Sequence, residues 1–225
     1  MGPYLEPTLI VGLGGWGGAV ATAAEAALRE RSPALARACV ALAATEPGAP
    51  DLPERVRTHL RVTRMAEVIR ALEADGLLRI DPIVSPSSHV YLIASLQDDP
   101  DLRHLAAAAR LIDEAALELK AKVKKVALVD VAGGPIPAAP GFPLYVLEPV
   151  TAHGLVLGED EYRAAATELL VAVAQPGGSQ VLASAGAPAT GTLGISWLTW
   201  SPATLRESLA GSLSREALLR CIQAE

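Results

Sequence analysis

The stretch from Pro7 to Gly18, reading PTLIVGLGGWGG and followed by the alanine-rich Ala19 to Arg31, constrains this chain more than any other segment. Thr8 to Val11 make a buried strand, the glycines a tight break, and the alanines a long helix. A strand that opens directly into a helix is the first half of a parallel α/β unit. Glycines at such a junction let the backbone approach an anion closely, and the unpaired N–H groups of the first helical turn point at it. The segment therefore reads as a phosphate cradle, with a nucleotide as the first candidate ligand.

The remainder of the chain supports an α/β reading. Its 225 residues suit one domain, or one domain with a small appendage. Strand-like apolar runs at Thr8–Val11, Cys39–Ala43, Val90–Ser95, Val126–Val131, Leu144–Leu147 and Leu193–Trp200 alternate with helix-like stretches. Near-continuous apolar strands between helices predict a doubly wound, mostly parallel, Rossmann-like sheet with helices on both faces. Leu102, Leu105, Ala109, Ile112, Ala116 and Leu119 form one helical stripe, and Tyr162, Ala166, Leu169 and Val173 another. Met65, Ile69 and Leu72 mark a shorter helix, and Ser201-Pro202 the start of a late one. Loops are expected at Glu46–Pro50, Gly133–Gly141 and Gln175–Gly178.

Composition narrows the partners. The net charge is −6, and the four lysines, Lys120, Lys122, Lys124 and Lys125, form the one basic block, placed at the end of a predicted helix where cations complement the dipole. Nucleic acid is not an expected partner. Cys39 and Cys221 have neither metal nor disulfide spacing, no basic leader precedes the first strand, and no apolar run reaches the ~18 residues of a membrane span. A soluble, cytoplasmic protein is the expectation.

Several chemistries can be set aside. Gly18 is followed by Ala19, with no lysine before Lys120, so this is not a Walker A loop. There is no G-x-S-x-G elbow, and His59, His89, His104 and His153 lack metal-site spacing. Gly12, Gly14 and Gly17 satisfy G-x-G-x-x-G, although close strand-to-helix packing selects the same glycines. A dinucleotide site needs an acidic residue about 20 positions on. The best candidate, Glu46, lies farther along, at the end of the second strand. A Rossmann-type dinucleotide-binding or ATP-binding enzyme using these glycines remains the alternative.

The opening Leu9 to Val20, LIVGLGGWGGAV, resembles the first nucleotide loop of the tubulin/FtsZ superfamily, in particular its bacterial tubulin-like members. Phe142 to Glu148, Gly154 to Leu157 and the helix from Glu159 to Ala174 are similar to the strand and central helix of that family, and Gly191 to Pro202 to the segment that follows. The resemblance implies a nucleotide-binding domain over residues 1–175 and a reduced C-terminal portion, 176–225, packed on it. It implies that Gly12, Gly14, Gly15, Trp16, Gly17 and Gly18 face the phosphates of GTP or GDP, held weakly. Glu46 in the Thr45–Gly48 loop would then approach the nucleotide, with magnesium only alongside it. Glu159, Asp160 or Glu161 would pair with guanine, unless they serve the helix dipole.

Two departures from the family pattern argue against catalysis. Where the family places a glycine- and threonine-rich phosphate loop, this chain reads Ser95-Leu-Gln-Asp-Asp-Pro-Asp101. Carboxylates there would repel a triphosphate, or else Asp98, Asp99 and Asp101 cap the next helix. The acidic hydrolysis loop also has no counterpart, since Gln175 to Gly186 contains no carboxylate. The expectation is a domain inactive as a GTPase, retaining weak guanine-nucleotide binding or acting as a protein-interaction or assembly module. Self-association and a protein partner both stay open. Trp16 would be a lid on the site or a plug in it; Trp197 and Trp200 are read as core or as interface anchors.

Overall fold

A computed structural model of the chain describes residues 7–31, 33, 36, 39–44, 51–61, 70, 87–131, 141–150, 154, 156–175 and 190–194. Within them, β1 (Thr8–Leu13) runs into α1 (Gly14–Arg31) with no residue between. Next come β2 (Cys39–Ala44), α2 (Leu52–Leu60), β3 (Ser87–Ser95), α3 (Arg103–Leu119), β4 (Lys122–Asp130), β5 (Leu144–Glu148) and α4 (Glu159–Val173). The strands form an all-parallel sheet in the order β2-β1-β3-β4-β5, and β6 (Thr190–Gly194) adds in parallel beside β5.

Every residue of β1 and β3 is buried. Successive side chains point to opposite faces, so an unbroken apolar strand fills two cores at once. On one face Leu9, Val11, Leu92 and Val129 meet Leu52, Val56 and Leu60 of α2 and Leu105, Ala109 and Ile112 of α3. On the other, Ile10, Tyr91, Ile93 and Leu128 meet Val20, Ala24 and Leu28 of α1 and Ala166, Leu170 and Val173 of α4. Arg31 and Glu168 form a two-pronged ion pair that ties the end of α1 to α4.

The first five expected strands are present, with differences at their ends; of the sixth, Leu193–Trp200, the described residues hold only Leu193 and Gly194, at the end of β6. The short α2 has no counterpart in the sequence reading: its apolar residues are Leu52, Val56 and Leu60, each one helical turn apart, among charged neighbours. The lysine block is also placed differently. Lys120 closes α3 in the left-handed conformation, but Lys122, Lys124 and Lys125 lie on β4, not at a helix end. Lys125 pairs with Asp113 and sits 4.9 Å from the centre of the Phe142 ring. Cys39 is buried in β2, where loss of solvent pushes its thiol up to about 12, as befits a packing residue. Among the described residues, no helix is long and apolar enough to cross a membrane. Glu46, Met65, Ile69 and Leu72 of the expected shorter helix, the loops at 133–140 and 176–178, His153, Trp197, Trp200, Ser201-Pro202 and Cys221 lie outside the described residues.

Candidate functional site

In an open parallel sheet, ligands bind beyond the C-terminal ends of the strands, where the strand order reverses. Here the chain moves outward from β1 to β2 and then returns to the other side of β1 as β3, so the reversal lies between β1 and β3. The β1–α1 junction and the turn from β3 to α3 flank that crevice, which makes it the candidate site.

Two of the glycines at the junction answer to packing. A Cβ on Gly12 would stand 2.1 Å from the carbonyl oxygen of Gly17, and one on Gly17 would stand 2.3 Å from that of Ile93. Both distances are far inside van der Waals contact with rigid backbone. These glycines let the first turns of α1 lie flush on β1 and β3. Gly14 differs: its φ of +71° is one that L side chains rarely adopt, and a Cβ there would meet the Asp98 side chain at 2.6 Å. Gly15 and Gly18 have room, with nearest neighbours at 3.7 and 3.6 Å from a built Cβ.

Asp98 is a further member of the site. Its Oδ2 accepts a hydrogen bond from the backbone N–H of Trp16 at 3.0 Å, and its carboxylate lies over Gly14. The chain has thus placed one of its own anions on the N-terminus of α1, where unpaired N–H groups and the helix dipole favour negative charge. The sequence left Asp98, Asp99 and Asp101 either as charges near a phosphate or as caps of the following helix, and the structure separates them. Asp99 is the cap of α3, accepting from the N–H groups of Arg103, His104 and Leu105 at 2.9, 2.8 and 3.1 Å. Asp101 pairs with Arg103 at 3.0 Å, with both side chains exposed. Asp98 turns away from α3 and caps α1 instead.

Behind this contact lies a buried polar chain at the strand ends. Ser95 and Asp130 close β3 and β4 as register partners, on the face that carries Tyr91, Ile93 and Leu128 inward. The Ser95 hydroxyl donates to Asp130 Oδ2 at 2.7 Å. The Tyr162 hydroxyl, reaching in from the first turn of α4, lies 3.0 Å from both Asp130 Oδ1 and the Leu147 carbonyl. Burial, then the neighbouring Asp130 charge, raises the Tyr162 phenol well above its ordinary range, so it stays neutral and serves as a donor. The half-buried Trp16 stacks on the Tyr162 ring, with centroids 5.5 Å apart and planes at 29°. Nothing in sequence spacing joins Ser95, Asp130 and Tyr162; the sheet register and the α4 packing do.

Of the expected site residues, Gly12, Gly14, Gly15, Trp16, Gly17 and Gly18 are together at the junction, and Glu46 lies outside the described residues. Two of the three acids opening α4 are engaged locally: Glu161 accepts from the Gly158 N–H at 3.0 Å, and Glu159 pairs with Arg163 at 2.6 Å. That is the arrangement of a helix start. Among the described residues, no group of three or more His, Cys, Asp or Glu side chains is arranged to hold a metal ion. Comparison of the chain with protein-family models, curated proteins and solved structures finds no match.

Proposed function

We propose that the chain is a diverged tubulin/FtsZ-like, doubly wound α/β domain that does not hydrolyse GTP. In this reading it retains weak guanine-nucleotide binding or works as a protein-interaction or assembly module. The observation that carries the reading is the Asp98 carboxylate on the first turn of α1. A phosphate group entering this cradle would meet a like charge in place of open N–H groups. At ~4 Å such a contact costs about 1 to 4 kcal/mol, according to the effective dielectric. Gly12 and Gly17 are accounted for by the packing of α1 on the sheet, so their presence alone does not require a ligand.

The test is thermal stability of nucleotide-stripped protein with GTP, GDP, ATP and NAD, each with and without Mg²⁺. A ligand that prefers the native state raises the melting temperature by mass action. The expected result is a small shift, confined to guanine nucleotides and to millimolar ligand. A large shift at micromolar GTP would overturn weak binding, and a shift with NAD or ATP alone would favour the dinucleotide- or ATP-enzyme alternative.

A further inference from the structure

The contacts at the strand ends close into a ring. Trp16 donates its N–H to Asp98. Asp98 belongs to a turn built on Ser95, whose carbonyl accepts from the N–H groups of Asp98 and Asp99 at 3.1 and 2.9 Å and whose hydroxyl accepts from Gln97 N–H at 3.2 Å. Ser95 donates to Asp130, Asp130 accepts from Tyr162, and the Tyr162 ring carries Trp16. The ring joins the β1–α1 junction, the β3–α3 turn, the end of β4 and the start of α4, beside the reversal between β1 and β3.

Three of its members, Ser95, Asp130 and Tyr162, are at least nine-tenths buried, whereas Asp98 is exposed. Packing holds these three in place, Trp16 is half-buried, and the carboxylate lying on α1 is the part of the ring open to solvent. From this we infer that Asp98 is an autoinhibitory anion: it occupies the α1 N-terminus in competition with a phosphate-bearing ligand, and the buried Ser95–Asp130–Tyr162 chain holds its turn in place. The inference rests on the nucleotide reading above and adds the residue that regulates the site. A ligand's phosphate must displace Asp98 from Trp16 N–H before it can use that donor. Because Asp98 is solvent-exposed and held to α1 through one side-chain contact, the displacement is local and leaves the sheet intact.

Calorimetric titration with GDP and with inorganic pyrophosphate tests this on the wild-type chain and on Asp98→Ala, Asp98→Asn, Asp101→Ala and Asp101→Asn. Asp101 lies three residues along the same turn and carries the same charge, but it points to Arg103 and not to α1. Removing one capping carboxylate and one like charge is expected to tighten binding roughly tenfold in Asp98→Ala. Asp98→Asn, which keeps an oxygen for Trp16 N–H, should fall between, and both Asp101 variants should stay within about twofold of wild type. Equal tightening in the Asp98 and Asp101 variants would overturn the inference, since charge near the turn would then suffice. GDP binding of equal affinity in wild type and Asp98→Ala would overturn autoinhibition while leaving the nucleotide reading intact. No binding by any variant would remove both. Circular dichroism checks each fold; were Asp98→Ala to unfold, the comparison of Asp98→Asn with Asp101→Asn decides.

Discussion

Replacing the junction glycines one at a time with alanine separates packing from ligand binding as the reason for their presence. At Gly17 the added Cβ would lie 2.3 Å from the Ile93 carbonyl oxygen and 3.0 Å from its carbon, so it meets β3 backbone that has no rotamer to change. Relief requires α1 to move away from the sheet, loosening the cluster in which Val20, Ala21 and Ala24 pack with Ile10 and Ile93. Overpacking of this kind costs about 1 to 3 kcal/mol and more where backbone must move. The gain in helix propensity from glycine to alanine returns up to ~1 kcal/mol. Gly17→Ala should therefore be destabilised by about 2 kcal/mol net, or roughly 4 to 8 °C in melting temperature for a domain of this size. At Gly18 the nearest atom to the added Cβ is the Ala43 methyl, at an ordinary 3.6 Å, so propensity dominates and the variant should gain about 0.5 to 1 kcal/mol. Urea unfolding followed by far-ultraviolet circular dichroism measures both. Equal stability of Gly17→Ala and wild type, or equal loss at Gly17 and Gly18, would refute the packing argument.

Two further substitutions probe the caps and the buried chain. Tyr162→Phe keeps the ring under Trp16 but withdraws the donor shared by Asp130 and the Leu147 carbonyl, and should cost about 1 to 3 kcal/mol in denaturant unfolding while leaving Trp16 fluorescence near its native value. The raised phenol also has a pH signature. The neutral form is favoured in the folded state, so its contribution is complete below the unfolded value of about 10 and declines as pH rises from there toward the higher native value. Wild type should accordingly lose stability above pH 10 more steeply than Tyr162→Phe. Asp99→Ala removes the acceptor for three N–H groups of α3 and should cost about 1 to 2 kcal/mol, with Asp99→Asn recovering part of it; a loss under 0.5 kcal/mol would contradict its role as the cap.

What could be read from the sequence was local. β1, β3 and the inner part of β4 were legible because burial on both faces demands unbroken apolar runs, and α3 because Leu105, Ala109 and Ile112 repeat at helical spacing. α2 escaped because nine residues with three apolar positions make too short a stripe among charges. The lysines misled for a related reason. Lys122 and Lys124 occupy exposed positions on the outer part of β4 and alternate with half-buried neighbours, a period-two signal too brief to outweigh the preceding helix. The glycines announced the β1–α1 junction correctly, but close packing and phosphate binding leave the same letters in a sequence. The 2.1 and 2.3 Å approaches at Gly12 and Gly17 show that packing alone demands glycine at both positions, a demand shared by folds that bind phosphate. Asp98 was visible as a charge in an uncharacteristic loop. Its partner, Trp16, is 82 residues away, and no spacing rule reaches that far. The pairing of Asp130 with Tyr162 was hidden in the same way, since Tyr162 read only as one member of an apolar stripe.

The central proposal, that this parallel α/β domain does not turn over GTP, is tested most directly by phosphate release from GTP with Mg²⁺. The wild-type chain should release phosphate at the rate of buffer alone, and Gly14→Val, which crowds Asp98 and strains a positive φ, should be indistinguishable from it. Release clearly above background in wild type, abolished by Gly14→Val, would show a working hydrolase at this junction and contradict the account.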